Sequence, residues 1–378
     1  MTAAVVGIGQ TEYSKASGRT ELALAVEAVL GALSDAGLSV QDVDGVIRYD
    51  WDRVDELTLG THLGLDNLRW MSQVGHGGPG GNSAVAHAKA AIDSGMAKTV
   101  VIYRSLNGRS GKRIGQGGAD NRIGGSEAFQ VPWGMVAPIT QFGQFARRHM
   151  IRYGTTTDQF GAVALAMRAY AQRNPNALMR KSMSIDDYRS SRLIADPLRL
   201  LDCCIESDGA CAVVVTSMER AADGPHIPAE ILAGAQASGR GGTAEVFRGD
   251  LDVSEATICA EDIWRRSGLR PHDVDAVMVY DHFTPFVILA LESFGFCDPG
   301  DGGAFVEDGQ IGLGGSLPVN THGGNLSEAY LQGLSHIVEG VRQIRGTSTS
   351  QVPGAEVILS CCATAGTASA VLLAKGGS

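Results

Sequence analysis

Between residues 20 and 50 the chain passes from an amphipathic run to a solid apolar one. In TELALAVEAVLGALSDAG, Leu22, Val26, Val29, Leu30 and Leu33 recur at helical spacing behind Thr20. The spacing predicts a helix with Thr20 as its N-cap. GVIRYD, residues 45 to 50, shows no alternation and reads as a strand covered on both faces. The same succession returns later as SEATICAEDIWRRSG, opened by Ser254, followed by AVMVYD at 276 to 281.

The recurrence is an internal repeat. AGLSVQDVDGVIRYD (36 to 50) matches SGLRPHDVDAVMVYD (267 to 281) at a constant offset of 231 residues. Gly37 falls on Gly268, Asp42-Val43-Asp44 on Asp273-Val274-Asp275, and Tyr49-Asp50 on Tyr280-Asp281. More faintly, HGGPGGNSAVAHAKAAIDSG and THGGNLSEAYLQGLSHIVEG both set glycines before a helix. Each leads to a β-rich run, TVVIYR (99 to 104) and AEVILSC (355 to 361), and each half closes on another, CAVVVTS (211 to 217) and SAVLLAK (369 to 375). The pattern predicts an α/β protein of two similar βαβ-type halves, each a mostly parallel five-stranded sheet covered by helices. The halves divide near Asp223-Gly224-Pro225, giving 1–223 and 224–378. The first half is longer because about a hundred residues, roughly 105 to 200, intervene between its strands. That insertion opens on the polar, glycine-rich SLNGRSGKRIGQGGADNRIGG and continues in a helical stretch, TTTDQFGAVALAMRAYAQRNP. Such segments serve as lids or binding loops.

A 44% hydrophobic chain of 378 residues can bury a large core. Its 31 basic and 41 acidic residues leave a net charge of −10 with no Lys/Arg-rich run, which argues against nucleic acid or an anionic membrane as partner. The start MTAAVVGIGQTEYSK lacks the features of a secretory signal, and no run reaches the length of a membrane span, so a cytoplasmic protein is expected. Seven cysteines, with adjacent pairs at Cys203–Cys204 and Cys361–Cys362, show neither a disulfide framework nor CxxC metal spacing. They read as reduced thiols, and no metal site is expected.

The densest candidate chemistry is SQVGHGGPGGNSAVAHA, residues 72 to 88, a bare turn between a strand and a helix. Gly75-His76-Gly77-Gly78-Pro79-Gly80 fits GxGxxG, which lets a pyrophosphate approach a helix N-terminus. The next strand ends in Arg104 and Ser105 and offers no acid for a ribose, so context weakens the nucleotide reading. Close packing of elements is the plainer alternative.

DCCIESDGACAVVVTS, VYDHFTPFVILALESFGFCDPG, LPVNTHGGNLSEAY and the N-terminal AAVVGIGQTEYSK resemble the sterol-carrier/lipid-transfer branch of the thiolase superfamily, in the family's order and nearly end to end. The resemblance implies a duplicated five-layered αβαβα fold, in agreement with the repeat. It also implies that the glycine turn is where a thiolase holds its nucleophilic cysteine, at a helix N-terminus that favours a thiolate. Gly78 stands at that position. Tyr330 stands where the activating histidine is expected, and Tyr280 where a histidine commonly precedes Asp-x-Phe. This combination resembles the thiolase-like aldolases of bacterial steroid side-chain degradation, which cleave a β-hydroxyacyl-CoA to a ketosteroid and a short acyl-CoA such as propionyl-CoA without a covalent intermediate.

A retro-aldol cleavage needs a base for the β-hydroxyl proton and donors for the enolate oxygen. The resemblance therefore makes Tyr280 and Tyr330 the catalytic candidates, with Tyr330, expected in the first turn of a helix, as base and Tyr280 as donor or relay. The stripe Tyr330, Leu334, Ile337, Val341 is equally that of a core helix face, and Tyr49 shows that a tyrosine at the strand end can be structural. Gly78 is expected to leave room for a bulky ring substrate. His282, His322, Gly324 and Cys361 are further candidates for the substrate or its oxyanion. No cofactor is expected beyond the coenzyme A of the substrate. The family also implies a homodimer and a small OB-fold partner associated with acyl-CoA. Two rival readings are an acyltransferase using another cysteine and a non-catalytic lipid-binding subunit.

Overall fold

The computed structural model describes residues 2–75, 77–111, 113, 123–239, 248–249 and 254–377. Much of the insertion's glycine-rich opening, and His76 of the glycine turn, lie outside them.

The first half consists of β1 (Ala3–Gln10), α1 (Glu21–Asp35), β2 (Gly45–Tyr49), β3 (Trp70–Val74), α2 (Gly80–Asp93) and β4 (Thr99–Asn107). The insertion follows, with α3 (Pro138–Tyr153) and α4 (Thr157–Ala171), and the half closes on β5 (Asp208–Ser217). The second half repeats this order as β6 (Ala229–Ser238), α5 (Ser254–Ser267), β7 (Ala276–Val279), α6 (Thr284–Ser293), α7 (Leu334–Arg345), β8 (Val357–Ala363) and β9 (Thr367–Lys375).

The strands lie in the order β3-β2-β4-β5-β1-β6-β9-β8-β7. In the first half β1 to β4 run one way and β5 runs against them. In the second half β6, β7 and β8 agree and β9 opposes them. The two sheets are not separate, because β1 and β6 join them edge to edge through Ala4↔Glu230 and Val5↔Ala229. Among the described residues the second sheet has four full strands, and its fifth shrinks to a parallel bridge between Val277 and Val319. The reason is local: Pro318 has no N–H to extend a ladder, and Asn320 turns the chain away at φ 50°. Asn320 then pairs its side-chain amide with both main-chain groups of Val279, at 2.7 Å each.

The repeated DVD motif is a strand anchor. Asp44 accepts hydrogen bonds from Lys98 N (2.8 Å) and Thr99 N (2.9 Å) at the start of β4. Asp275 does the same for Glu356 N and Val357 N, both at 2.8 Å, at the start of β8.

Five layers follow from the cores. One core lies between α1 and the first sheet. A second holds α2 and α7 between the inner faces of both sheets, with Ala84, Val85 and Ala88 meeting Leu334, Ile337, Val338 and Val341. A third places α5 and α6 on the outer face of the second sheet, where α3 and α4 of the insertion join them. Thr20 caps α1 by accepting from Ala23 N at 3.1 Å, but the buried face of α1 is Leu24, Ala25, Ala28, Val29, Ala32 and Leu33, and Leu30 is exposed. The expected stripe is rotated because Gly7 and Gly9 of β1 bring the sheet against the helix backbone at Ala28 and Ala32, where only small side chains fit. Among the described residues no helix is long and apolar enough to cross a membrane.

Candidate active site

β2 and β7 are equivalent strands, and each delivers a tyrosine to the glycine turn that precedes α2. A Cβ on Gly80 would overlap the ring of Tyr49, and a Cβ on Gly78 would overlap the ring of Tyr280. Gly81 is hemmed in by Gly333, whose carbonyl carbon would stand 2.9 Å from a Cβ. The turn is therefore bare because two aromatic rings pack on it. The expectation that Gly78 leaves space for a ring substrate is corrected: Tyr280 fills that space.

Tyr330 reaches the same place from the opposite side. Its hydroxyl lies 2.8 Å from the Tyr280 hydroxyl, and both rings are buried. The helix expected around it does not form there. A single turn at Gly324–Ser327 is followed by an irregular link, and α7 begins only at Leu334. Left-handed backbone at Gly323 (φ 108°), Gln332 (φ 51°) and Gly333 (φ 87°) interrupts the helix, so Tyr330 precedes α7 instead of occupying its first turn.

Electrostatics sharpen the correction. Burial pushes Tyr330 above the ordinary phenol range, neighbouring Cys204 adds to it, and the hydrogen bond from Tyr280 and the charge of Arg104 offset it only in part. Tyr280 is also raised, chiefly by burial and then by Tyr330. Both are neutral phenols at neutral pH, so neither is a standing base.

His282 stacks on Tyr280, with centroids 5.1 Å apart and planes at 25°, and is enclosed by Phe142 and Phe286. Burial lowers its pKa to about 3, offset in small part by a hydrogen bond to the backbone of Tyr280, and among the described residues neither ring nitrogen has a side-chain partner. It is a neutral imidazole beside the tyrosine pair. His322 sits further along, edge-on to His336 at 4.8 Å, with Glu328 Oε2 3.7 Å from its Nε2. It too is held neutral by burial.

Gly324 does not offer an oxyanion site. The carboxylate of Asp281 packs against its Cα and accepts from Asn325 N (2.8 Å), Leu326 N (3.2 Å) and His336 Nε2 (3.0 Å). An enolate there would meet a carboxylate. Cys361 is likewise displaced. Along β8 alternate side chains face opposite ways, so Cys361 points into the outer core while Cys362 packs with Tyr280 and Tyr330, alongside Leu106 and Cys204. Strand alternation thus puts Cys362, and not its neighbour Cys361, beside the tyrosines.

The motif reading passed over Asp281, His336, Ser207, Cys204 and Cys362. YDHF and DCCIESDGA contain three of them, but nothing in the spacing of those letters says which atoms meet.

A family model described as the thiolase C-terminal domain matches residues 242–374. The 17-hydroxy-3-oxo-4-pregnene-20-carboxyl-CoA lyase of Mycobacterium tuberculosis is 46% identical over 375 residues, covering 97% of this chain and 96% of that protein. The chain belongs to the thiolase superfamily, in its aldolase branch. A steroid side-chain-cleaving aldolase from Thermomonospora curvata is 44% identical, covering 93% of this chain and 92% of that protein. The solved structure of an Ltp2–ChsH2(DUF35) aldolase superposes with a TM-score of 0.94 at 41% identity, covering 100% of this chain and 98% of that chain. Human mitochondrial 3-ketoacyl-CoA thiolase shares the fold, with a TM-score of 0.72 at 14% identity over 99% of both chains. The thiolase-like aldolase thus keeps the thiolase layers.

Two predictions follow from this geometry. Gly78→Ala must push Tyr280 aside, so the variant should melt lower than the parent and lose the Tyr280–Tyr330 hydrogen bond, as a crystal structure would reveal. Glu328 is buried with its Oε1 on Asn174 Nδ2 at 2.9 Å, and burial raises its pKa to about 8. Between the ordinary carboxylate range and pH 8 the unfolded chain releases this proton while the folded chain keeps it, so folding is progressively disfavoured as pH rises. Glu328→Gln should match the parent's melting temperature at pH 5 and exceed it at pH 8.5.

Proposed function

We propose that the protein is a retro-aldolase that cleaves a steroid β-hydroxyacyl-CoA thioester to a ketosteroid and a short acyl-CoA such as propionyl-CoA. The observation that carries this reading is the buried pair of tyrosine hydroxyls, 2.8 Å apart, at the turn where a thiolase would hold its nucleophile.

The reaction moves one proton from the β-oxygen to the α-carbon. The O–H bond breaks, the C–C bond between β- and α-carbons breaks into an enolate, and the enolate is reprotonated at carbon. No net charge need be left on the protein. Ionising even an ordinary phenol at pH 7 costs about 4 kcal/mol, and burial makes both tyrosines harder to ionise. A hydrogen-bonded pair avoids that cost: one phenol accepts the substrate proton as it passes its own to the other, and the second phenol gives up its proton to the α-carbon of the enolate, leaving both phenols neutral. We assign Tyr330 to the β-hydroxyl and Tyr280 to the relay. The neutral imidazole of His282 is the donor for the thioester oxygen as charge builds there, and His322 is a second candidate for that role.

An acyltransferase reading is disfavoured by the thiols. Burial pushes Cys203 up to about 12, Cys362 likewise, and raises Cys204 and Cys361 well above the ordinary thiol range. A nucleophilic thiolate needs the opposite environment.

We further propose a homodimer through β3, an edge strand whose only ladder partner among the described residues is β2. The related solved aldolase is described as a complex with a DUF35 partner, and an equivalent small OB-fold partner associated with acyl-CoA is proposed for this chain. The seven free thiols suit the reducing cytoplasm. Coenzyme A enters as part of the substrate.

Tyr330→Phe and Tyr280→Phe should each lower kcat for a steroid β-hydroxyacyl-CoA by about a hundredfold or more, while Cys203→Ala and Cys361→Ala retain turnover. The assay follows ketone and acyl-CoA release, with and without the partner. Full activity in both phenylalanine variants overturns the proposal, and binding of the thioester with no turnover even beside the partner would make the chain a lipid-binding subunit.

A further inference from the structure

Tyr330 lies in a link that follows neither helix nor strand, so its main-chain N–H and C=O have no ladder to serve them. Both are satisfied by one side chain. The hydroxyl of Ser207 accepts from Tyr330 N at 2.8 Å and donates to Tyr330 O at 3.2 Å.

Ser207 is itself well anchored. It is fully buried, immediately precedes β5, and its own carbonyl accepts from Gly108 N at 3.0 Å just beyond β4. The residues before it are stitched to both tyrosine-bearing segments. Cys204 N donates to His282 O at 2.9 Å, and Ile205 N donates to Asn325 O at 3.0 Å. The return limb of the insertion therefore runs between the segment that carries Tyr280 and the segment that carries Tyr330.

The consequence is a matter of tolerance. The phenol of Tyr330 is held by Tyr280, but the Cα from which it swings is held by Ser207, and Gln332, two residues on, is in left-handed backbone and offers no regular structure in its place. We infer that Ser207 is a positioning residue that fixes Tyr330 for proton transfer. This rests on the tyrosine relay proposed above. Removing the hydroxyl leaves both main-chain groups of Tyr330 buried without partners, and a displacement well under an ångström at the phenol is enough to weaken a relay that depends on aligned hydroxyls.

The test is a double-mutant cycle on the full chain together with its partner, with kcat and KM measured separately on a steroid β-hydroxyacyl-CoA. Ser207→Ala should lower kcat about tenfold or more with KM changed less than about threefold, and Ser207→Thr, which keeps the hydroxyl, should restore most of kcat. In a Tyr330→Phe background Ser207→Ala should change the residual rate by less than about twofold, because the group it positions is already gone. The inference fails if Ser207→Ala keeps the parent kcat, or if it lowers the Tyr330→Phe rate by the same factor as the parent rate. Should the alanine variant not fold, Ser207→Cys, a weaker donor and acceptor, must give an intermediate kcat, and a parent-like value overturns the inference. Tyr330→Phe with parent activity would instead overturn the relay itself, whatever Ser207 does.

Discussion

Two tyrosine rings packed on one turn set the terms for the rest of the site. Tyr49 and Tyr280 end equivalent strands of the two halves, and Gly78 and Gly80 must be free of side chains to receive them. Tyr49 is then fixed by its hydroxyl, which donates to Gln332 O at 3.3 Å. Tyr280 has its hydroxyl turned to Tyr330. The duplication thus supplies two copies of one packing device, and the second copy ends in a hydroxyl whose partner among the described residues is another phenol.

Several of the titratable groups around the pair are held neutral. His282 and His322 are held neutral by burial, and Glu328 keeps its proton through much of the neutral range. The buried carboxylate of Asp281 faces two main-chain amides and His336, so its charge is spent on the turn before Tyr330. A proton that travels from the substrate oxygen to its carbon needs acceptors and donors of matched strength more than it needs fixed charge. A thiolate, by contrast, would need a cation or a helix dipole acting on it, and the thiols here are all pushed the other way.

Much of this was legible in the letters. The 231-residue repeat, the strand and helix order and Thr20 as a cap depend on local patterns that survive tertiary packing, and the Asp44 and Asp275 anchors explain why the repeat is sharpest where it is. The failures have a common physical source. Gly78 looked like a vacancy because a sequence shows what a residue lacks and not what fills the gap. Tyr330 looked helical because Leu334, Ile337 and Val341 keep the period, while left-handed backbone at Gln332 and Gly333 breaks the helix between Tyr330 and Leu334. Cys361 and Cys362 could be separated only by knowing which face of β8 meets the tyrosines.

The three departures from a thiolase pattern that the resemblance implies, at 78, 280 and 330, are physically coupled. A cysteine at 78 could not coexist with Tyr280 in its present position, because the first atom of its side chain would occupy the ring. A histidine in place of Tyr330 would meet Tyr280 and Cys362 in an apolar cluster that gives an imidazolium no counter-ion. Each substitution alone leaves either a steric overlap or an unpartnered polar group, and only the set closes into a hydrogen-bonded pair.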